Sequence, residues 1–334
     1  MQKLNFEQIK KLVHGVSRVE EGDNAISFFR FTKKQQELYK SLSPTDFYFK
    51  TFATSGITLE FETDSENLSL EVLVSRGSSR TFFTHSIFVN GKKYDELSGD
   101  IGDKENVSFK KAFALGGGLK TIKILFPWSV CSRLVSLELD DNSKIIPIKK
   151  DCKILMFGDS ITQGYDAMLP ENAYAVNVAT KLNAEALNKG IAGEQFLAKL
   201  TEEKENFEPD IITVAYGTND WRHSTKAKFE KECKGFFANL RNNYPTAKIY
   251  VITPIWRADI DNKQEFGEPL SFVGEYITKV CAELSDVNVI NGIDLVPHNT
   301  EYYQTDGVHP IDSGFKLYAK SLLENTAFGG FSKK

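Results

Sequence analysis

Two hydrophobic periods divide the chain. Up to about residue 148 apolar and polar positions alternate with a period of two. Ile57-Thr58-Leu59-Glu60-Phe61-Glu62 and Leu68-Ser69-Leu70-Glu71-Val72 place their apolar side chains on one face of an extended segment, as in a half-buried strand. Ile87-Phe88-Val89-Asn90-Gly91-Lys92-Lys93-Tyr94 predicts a hairpin, with Asn-Gly supplying the two positive-φ positions of a tight turn. Residues 107–115, 121–126 and 133–139 predict further strands, broken by Gly116-Gly117-Gly118 and by Pro127. So many short alternating strands within about 100 residues predict an all-β, jelly-roll-like sandwich. Before Phe47 the pattern is weaker: residues 6–14 predict a short helix, and the polar residues 33–44 a loop or a helix.

Beyond residue 150 the period changes. Apolar segments at 153–157, 184–188, 211–216, 249–253 and 287–290 predict short strands. Helical periodicity fills about 171–182, 226–243, 269–284 and 313–324, with Asp312-Ser313 as the expected cap of the last helix. Strands alternating with helices predict a parallel sheet covered on both faces. The pattern breaks at residues 147–151, and 334 residues exceed a single core. The expected domains are therefore 1–148, the sandwich, and 149–334, the α/β unit.

Four short blocks punctuate the second half. Gly158-Asp159-Ser160-Ile161-Thr162 follows the first apolar segment, and Asn188-Lys189-Gly190-Ile191-Ala192-Gly193 the second. Gly217-Thr218-Asn219-Asp220 follows the third, and Asp306-Gly307-Val308-His309-Pro310 precedes the last helix. Ligands of open parallel sheets gather beyond the carboxyl ends of the strands, so Ser160, Gly190 and Asn219 are expected at one edge. A serine hydroxyl attacks a carbonyl only if an imidazole takes its proton and a carboxylate orients that imidazole. Ser160, His309 and Asp306 supply those three groups. Alone, Ser160 reads more readily as a helix N-cap and Gly190 as a turn glycine; it is the set of four blocks together that favours the chemical reading. Asp159 is expected to shape its turn through side-chain bonds to the backbone.

In order and spacing the four blocks resemble the SGNH hydrolases, the GDSL-like esterase superfamily, over roughly residues 150–325. The resemblance implies a flavodoxin-like α/β/α domain. It implies that Ser160 is the nucleophile, that Asp306 and His309 complete the triad, and that Gly190, Asn219 and the Ser160 N–H hold the oxyanion. The block differs from the Gly-x-Ser-x-Gly elbow of α/β-hydrolases, since position 162 is Thr and the acid precedes the histidine by only three residues. Carbohydrate acetylesterases with an appended sandwich are the similar two-domain proteins.

Trp221-Arg222 and Trp256-Arg257, each just after a predicted strand, are expected to wall a substrate pocket; ordinary packing is the alternative for the tryptophans. His223 is a further possible contact. The polar stretch 257–270 makes a poor lid for a lipid tail, which favours a short acyl group, acetyl above all, on a carbohydrate. The open alternatives are a lipase, thioesterase or lysophospholipase of the same superfamily, and a non-catalytic carbohydrate-binding protein. With 41 basic and 45 acidic residues the chain shows no concentrated basic character, so no nucleic-acid partner is expected. No cofactor or metal is expected, because no His or Cys cluster has ligand spacing. The four scattered cysteines and an N-terminus without a basic-then-apolar plan read as a cytoplasmic chain with no membrane segment. Oligomeric state is not encoded in any of these patterns.

Overall fold

In the strand Asn67–Arg76, Leu68, Leu70, Val72 and Val74 are all fully buried, every second residue. A period of two can bury only one face, and that face closes against a second sheet. This computed structural model describes residues 1–22 and 24–328. By internal contacts it divides into Met1–Lys150 with Leu169–Glu171, and Asp151–Met168 with Asn172–Lys334.

The first unit is the antiparallel sandwich. One sheet orders Arg18–Gly22, Ala25–Phe29, Val130–Leu139, Asn67–Arg76 and Val107–Ala114, with Gln2–Lys3 added to Val130–Leu139. The other orders Ile146–Pro147, Thr58–Thr63, Lys120–Leu125, Phe82–Val89 and Lys92–Asp100, with Val13–His14 added to Thr58–Thr63. Leu59, Phe61, Ile87, Ile122 and Ile124 meet the Leu68–Val74 face in one core. The Asn-Gly hairpin forms as its sequence demands, with Asn90 at φ 49° and Gly91 at φ 75° between Val89 and Lys92. Residues 33–44 resolve to a helix, Lys33–Leu42, because Thr32 and Gln35 form a reciprocal capping box. Two strands of the weakly patterned region, Arg18–Gly22 and Ala25–Phe29, had no clear signal.

The second unit holds a wholly parallel sheet of β1 (Cys152–Gly158), β2 (Ala184–Asn188), β3 (Ile211–Ala215), β4 (Lys248–Ile252) and β5 (Val287–Ile290). Their order is β2-β1-β3-β4-β5, the flavodoxin-like winding. β1 is an interior strand, paired on both sides, and Ile154, Leu155, Met156 and Phe157 are buried without alternation, as helices on both faces require. The helices are α1 (Ser160–Gln163), α2 (Tyr174–Lys181), α3 (Thr218–His223), α4 (Lys226–Asn243), α5 (Leu270–Ala282) and α6 (Asp312–Glu324). One detail departs from expectation. Asp312 opens α6 without capping it, and its carboxylate accepts instead from the Met168 N–H at 3.0 Å and the Asn172 amide at 2.7 Å. Among the described residues no helix is long and apolar enough to cross a membrane, and no His, Cys, Asp and Glu group can hold a metal ion.

Candidate active site

The doubly wound order reverses at β1, so the loops leaving β1, β2 and β3 surround one crevice. At the end of β1, Asp159 caps α1 by accepting from the Ile161 N–H at 2.9 Å, and Ser160 becomes the first helical residue. The cap is thus Asp159, and the Ser160 hydroxyl stays available. Gly158 has to be glycine, because a Cβ there would sit 2.0 Å from Thr162 Oγ1. Thr162 in turn shares a hydrogen bond with the Tyr174 hydroxyl at 2.8 Å.

The fourth block folds into a closed loop. Tyr303 bridges Pro310, the Gln304 N–H donates to the His309 carbonyl at 2.7 Å, and the Gly307 N–H donates back to Gln304 at 2.8 Å. Gly307 lies at φ 66° and close to Ala258, whose N–H donates to its carbonyl at 2.8 Å. Within this loop the N–H groups of Val308 and His309 donate to Asp306 Oδ1 at 2.8 and 3.0 Å. Asp306 Oδ2 is left for His309 Nδ1, at 2.6 Å. A carboxylate only accepts, so Nδ1 carries the proton and Nε2 is turned to the Ser160 hydroxyl, 2.7 Å away. Tyr165 tilts over the imidazole with ring centres 5.1 Å apart. Burial pushes the Asp306 carboxyl up, but the bonds from His309 and from the two N–H groups outweigh it and hold it well below the usual carboxylate range. The carboxylate is therefore charged at neutral pH. Such a relay can draw a proton from a hydroxyl as that hydroxyl attacks.

The second block does not follow expectation. The Gly190 N–H is buried and donates to Asn188 Oδ1 at 2.8 Å, so it does not face the crevice. Asn188 Nδ2 donates to the Thr162 carbonyl at 2.7 Å, and a Cβ on Gly190 would meet Gln163 N at 2.4 Å and Thr162 C at 2.8 Å. Asn188 and Gly190 therefore clamp the helix that carries Ser160. Gly190→Ala should cost about 1–3 kcal/mol by overpacking, since the opposing atoms are backbone and cannot turn away. A lower thermal midpoint together with slower ester cleavage is the expected result; an unchanged midpoint would contradict the clamp.

Gly193, three residues on, fits the donor role better. It is exposed at φ 89°, and its N–H has no acceptor among the described residues. The carbonyl of the next residue, Glu194, accepts one Asn219 Nδ2 proton at 3.0 Å, which leaves the other proton of that amide for a ligand. Nothing in the sequence separates Gly190 from Gly193; only packing against Thr162 and Gln163 does.

Of the expected pocket walls, two are contradicted. Trp221 is 1% exposed and donates its Nε1–H to the Glu268 carbonyl at 2.9 Å, with the Arg257 guanidinium 5.2 Å from its ring centre. Arg257 is itself buried and forks onto Asp259 at 2.5 and 3.0 Å while reaching Thr218 Oγ1 at 2.8 Å. Both are framework, because a buried guanidinium has to spend its donors on fixed partners. Arg222 is exposed and bonded to Gln264, and His223 is exposed at the end of α3. Trp256 is half-buried, stacked on His298 at 5.8 Å and edge-on to Tyr303 at 5.1 Å.

Asp220, beside Asn219, is buried and accepts from the Phe196 N–H at 3.2 and 3.3 Å, tying the segment that follows the second block to the third. Burial pushes its carboxyl up to about 7, so the folded protein binds its proton more tightly than the unfolded chain does. Stability from this group is full below the unfolded value near 3.8 and is lost as pH rises through about 7. Asp220→Asn keeps an acceptor without the charge. It should raise the melting temperature by roughly 2–4 °C at pH 8 and by much less below pH 4. A lower midpoint at pH 8 would contradict this reading.

Residues 156–317 match the family described as GDSL-like lipase/acylhydrolase. No curated protein matches the sequence. Among solved structures, the fold is similar to a salicylyl-acyltransferase from a tetracycline biosynthetic pathway, with TM-score 0.78, 18% identity, and 95% of this chain and 94% of that one covered. It is also similar to an acetyl xylan esterase from the rumen bacterium Butyrivibrio proteoclasticus, with TM-score 0.68, 14% identity, and 100% and 99% covered. A family two carbohydrate esterase from Clostridium thermocellum, in complex with cellohexaose, matches with TM-score 0.65, 17% identity, and 84% and 94% covered.

Proposed function

The chain carries a GDSL-like lipase/acylhydrolase domain of the SGNH type at residues 156–317, and from that premise we propose that it is a serine esterase acting on small acyl esters of a carbohydrate. One observation carries the reading: the unbroken relay from Asp306 Oδ2 to His309 Nδ1 at 2.6 Å and from His309 Nε2 to Ser160 Oγ at 2.7 Å. Ser160 Oγ attacks the ester carbonyl while His309 takes its proton, and the imidazolium is held by the ionised Asp306. The oxyanion is received by the N–H groups of Gly193 and Ser160 and by the second Nδ2 proton of Asn219. Each such donor contributes on the order of 10²–10³ in rate. Collapse of the tetrahedral intermediate returns the proton from His309 to the departing alcohol and leaves an acyl group on Ser160. Water, deprotonated by His309, then releases the acid.

A short acyl group is supported by the 257–270 stretch. Its polar side chains are tied into the framework, Asp259 to Arg257 and Glu268 to Lys226 at 2.7 Å, rather than spread as an apolar cover. The carbohydrate carrier is supported by the fold shared with the acetyl xylan esterase and the family two carbohydrate esterase. A panel of nitrophenyl esters from acetyl to dodecanoyl, followed by acetylated sugars, tests both. kcat/KM should peak at acetyl or propionyl and fall steeply by octanoyl, because a two-carbon pocket gains nothing from further methylenes otherwise worth about 0.8 kcal/mol each. A maximum at octanoyl or longer would replace the acetylesterase reading with a lipase-like one.

A further inference from the structure

Within the first unit, the strands Ala25–Phe29 and Val130–Leu139 share one register pair, Leu134 with Ile26. Beyond it they are no longer paired, and a cavity of about 320 Å³ opens where the ladder stops. Val74 and Leu134 point into the core, so the alternate positions Ser75, Cys131 and Arg133 face the other way, into the cavity, which Phe28 and Phe29 line from the facing strand. Phe29 and Phe52 wall it with rings 6.1 Å apart and edge-on. Arg76, Arg133 and Asn106 line it as well.

The two guanidinium groups are unusually placed. Arg133 donates to Asn106 Oδ1 at 2.5 Å, and Arg76 lies 5.6 Å from the Phe49 ring centre. Neither pairs with a carboxylate among the described residues, although Glu105 is close enough to accept from the Arg76 backbone N–H at 3.1 Å. Arg18, by contrast, stands over Phe29 and has Glu20 as its partner at 2.6 Å. Two arginine forks without acidic partners, beside apolar ring faces, present the complement of a planar anion attached to a ring.

We propose that this sandwich cavity binds a carboxylate-bearing ring of monosaccharide size, with Arg76 and Arg133 on the carboxylate and Phe29 and Phe52 against the ring. The site belongs to the first unit and the hydrolytic residues to the second, and it does not depend on their roles. It gives the sandwich a ligand of its own.

Calorimetric titration of the full chain with methyl glucuronide, benzoate and neutral methyl glucoside tests it. None of the three is a substrate ester. At least one carboxylate should bind with Kd below roughly 10 mM, and methyl glucoside at least about tenfold more weakly. The tighter of glucuronide and benzoate identifies the ring as a sugar acid or an aromatic acid. Arg76→Gln and Arg133→Gln should each weaken binding about tenfold or more without changing nitrophenyl acetate cleavage. Should Arg133→Gln melt early, the exposed Arg76 carries the test alone. Binding of neither carboxylate, equal binding of the glucoside, or wild-type binding in a well-folded Arg76→Gln would overturn the proposal.

Discussion

Ser160→Ala should lower kcat/KM for nitrophenyl acetate by at least about 10³-fold while leaving the melting temperature within a degree or two of wild type. The two expectations come from the same geometry. The only hydrogen bond of the Ser160 hydroxyl among the described residues is to His309 Nε2, so its loss removes the attacking atom and little else. The helix start is held by Asp159, whose cap on the Ile161 N–H does not involve the serine side chain. Parallel kinetics and thermal melts check both halves. Activity above about a hundredth of wild type would exclude Ser160 as the nucleophile.

Asp306→Asn should cost about 10³–10⁴ in kcat with little change in KM. An asparagine keeps one oxygen for the Val308 and His309 N–H groups, so the loop closes as before. Its amide, however, presents a donor to His309 Nδ1. That favours the opposite imidazole tautomer, with the proton on Nε2, where it cannot accept from Ser160. Charge is lost too, and with it the stabilisation of the imidazolium formed in the transition state. A loss under about tenfold would mean that His309 is oriented by something else, and among the described residues Asp306 alone bonds its Nδ1.

Much of this was legible in the chain. The inner strands β1, β3 and β4 announce themselves as apolar runs because both their faces are buried, and α4 occupies the predicted range because its periodicity is uninterrupted. Hairpin chemistry at Asn90-Gly91 is local and so survives folding unchanged. What sequence missed depends on neighbours distant in the chain. Gly190 and Gly193 look alike in one block, and only contact with Gln163 assigns the first to packing. Trp221 and Arg257 follow strands, as pocket residues do, yet they turn inward because Glu268, Asp259 and Thr218 satisfy them there. Strands Arg18–Gly22 and Ala25–Phe29 lack clean alternation, since the edge strand Arg18–Gly22 buries neither face fully and Ala25–Phe29 is buried or half-buried at every position.

The central claim is that Ser160 is an activated nucleophile. Treating the full chain with a fluorophosphonate and reading its intact mass, then mapping the labelled peptide, tests that claim most directly. The relay predicts a single adduct per chain on Ser160, absent in Ser160→Ala and strongly slowed in Asp306→Asn. No adduct on the folded wild-type protein, or an adduct mapped to any other residue, would contradict it.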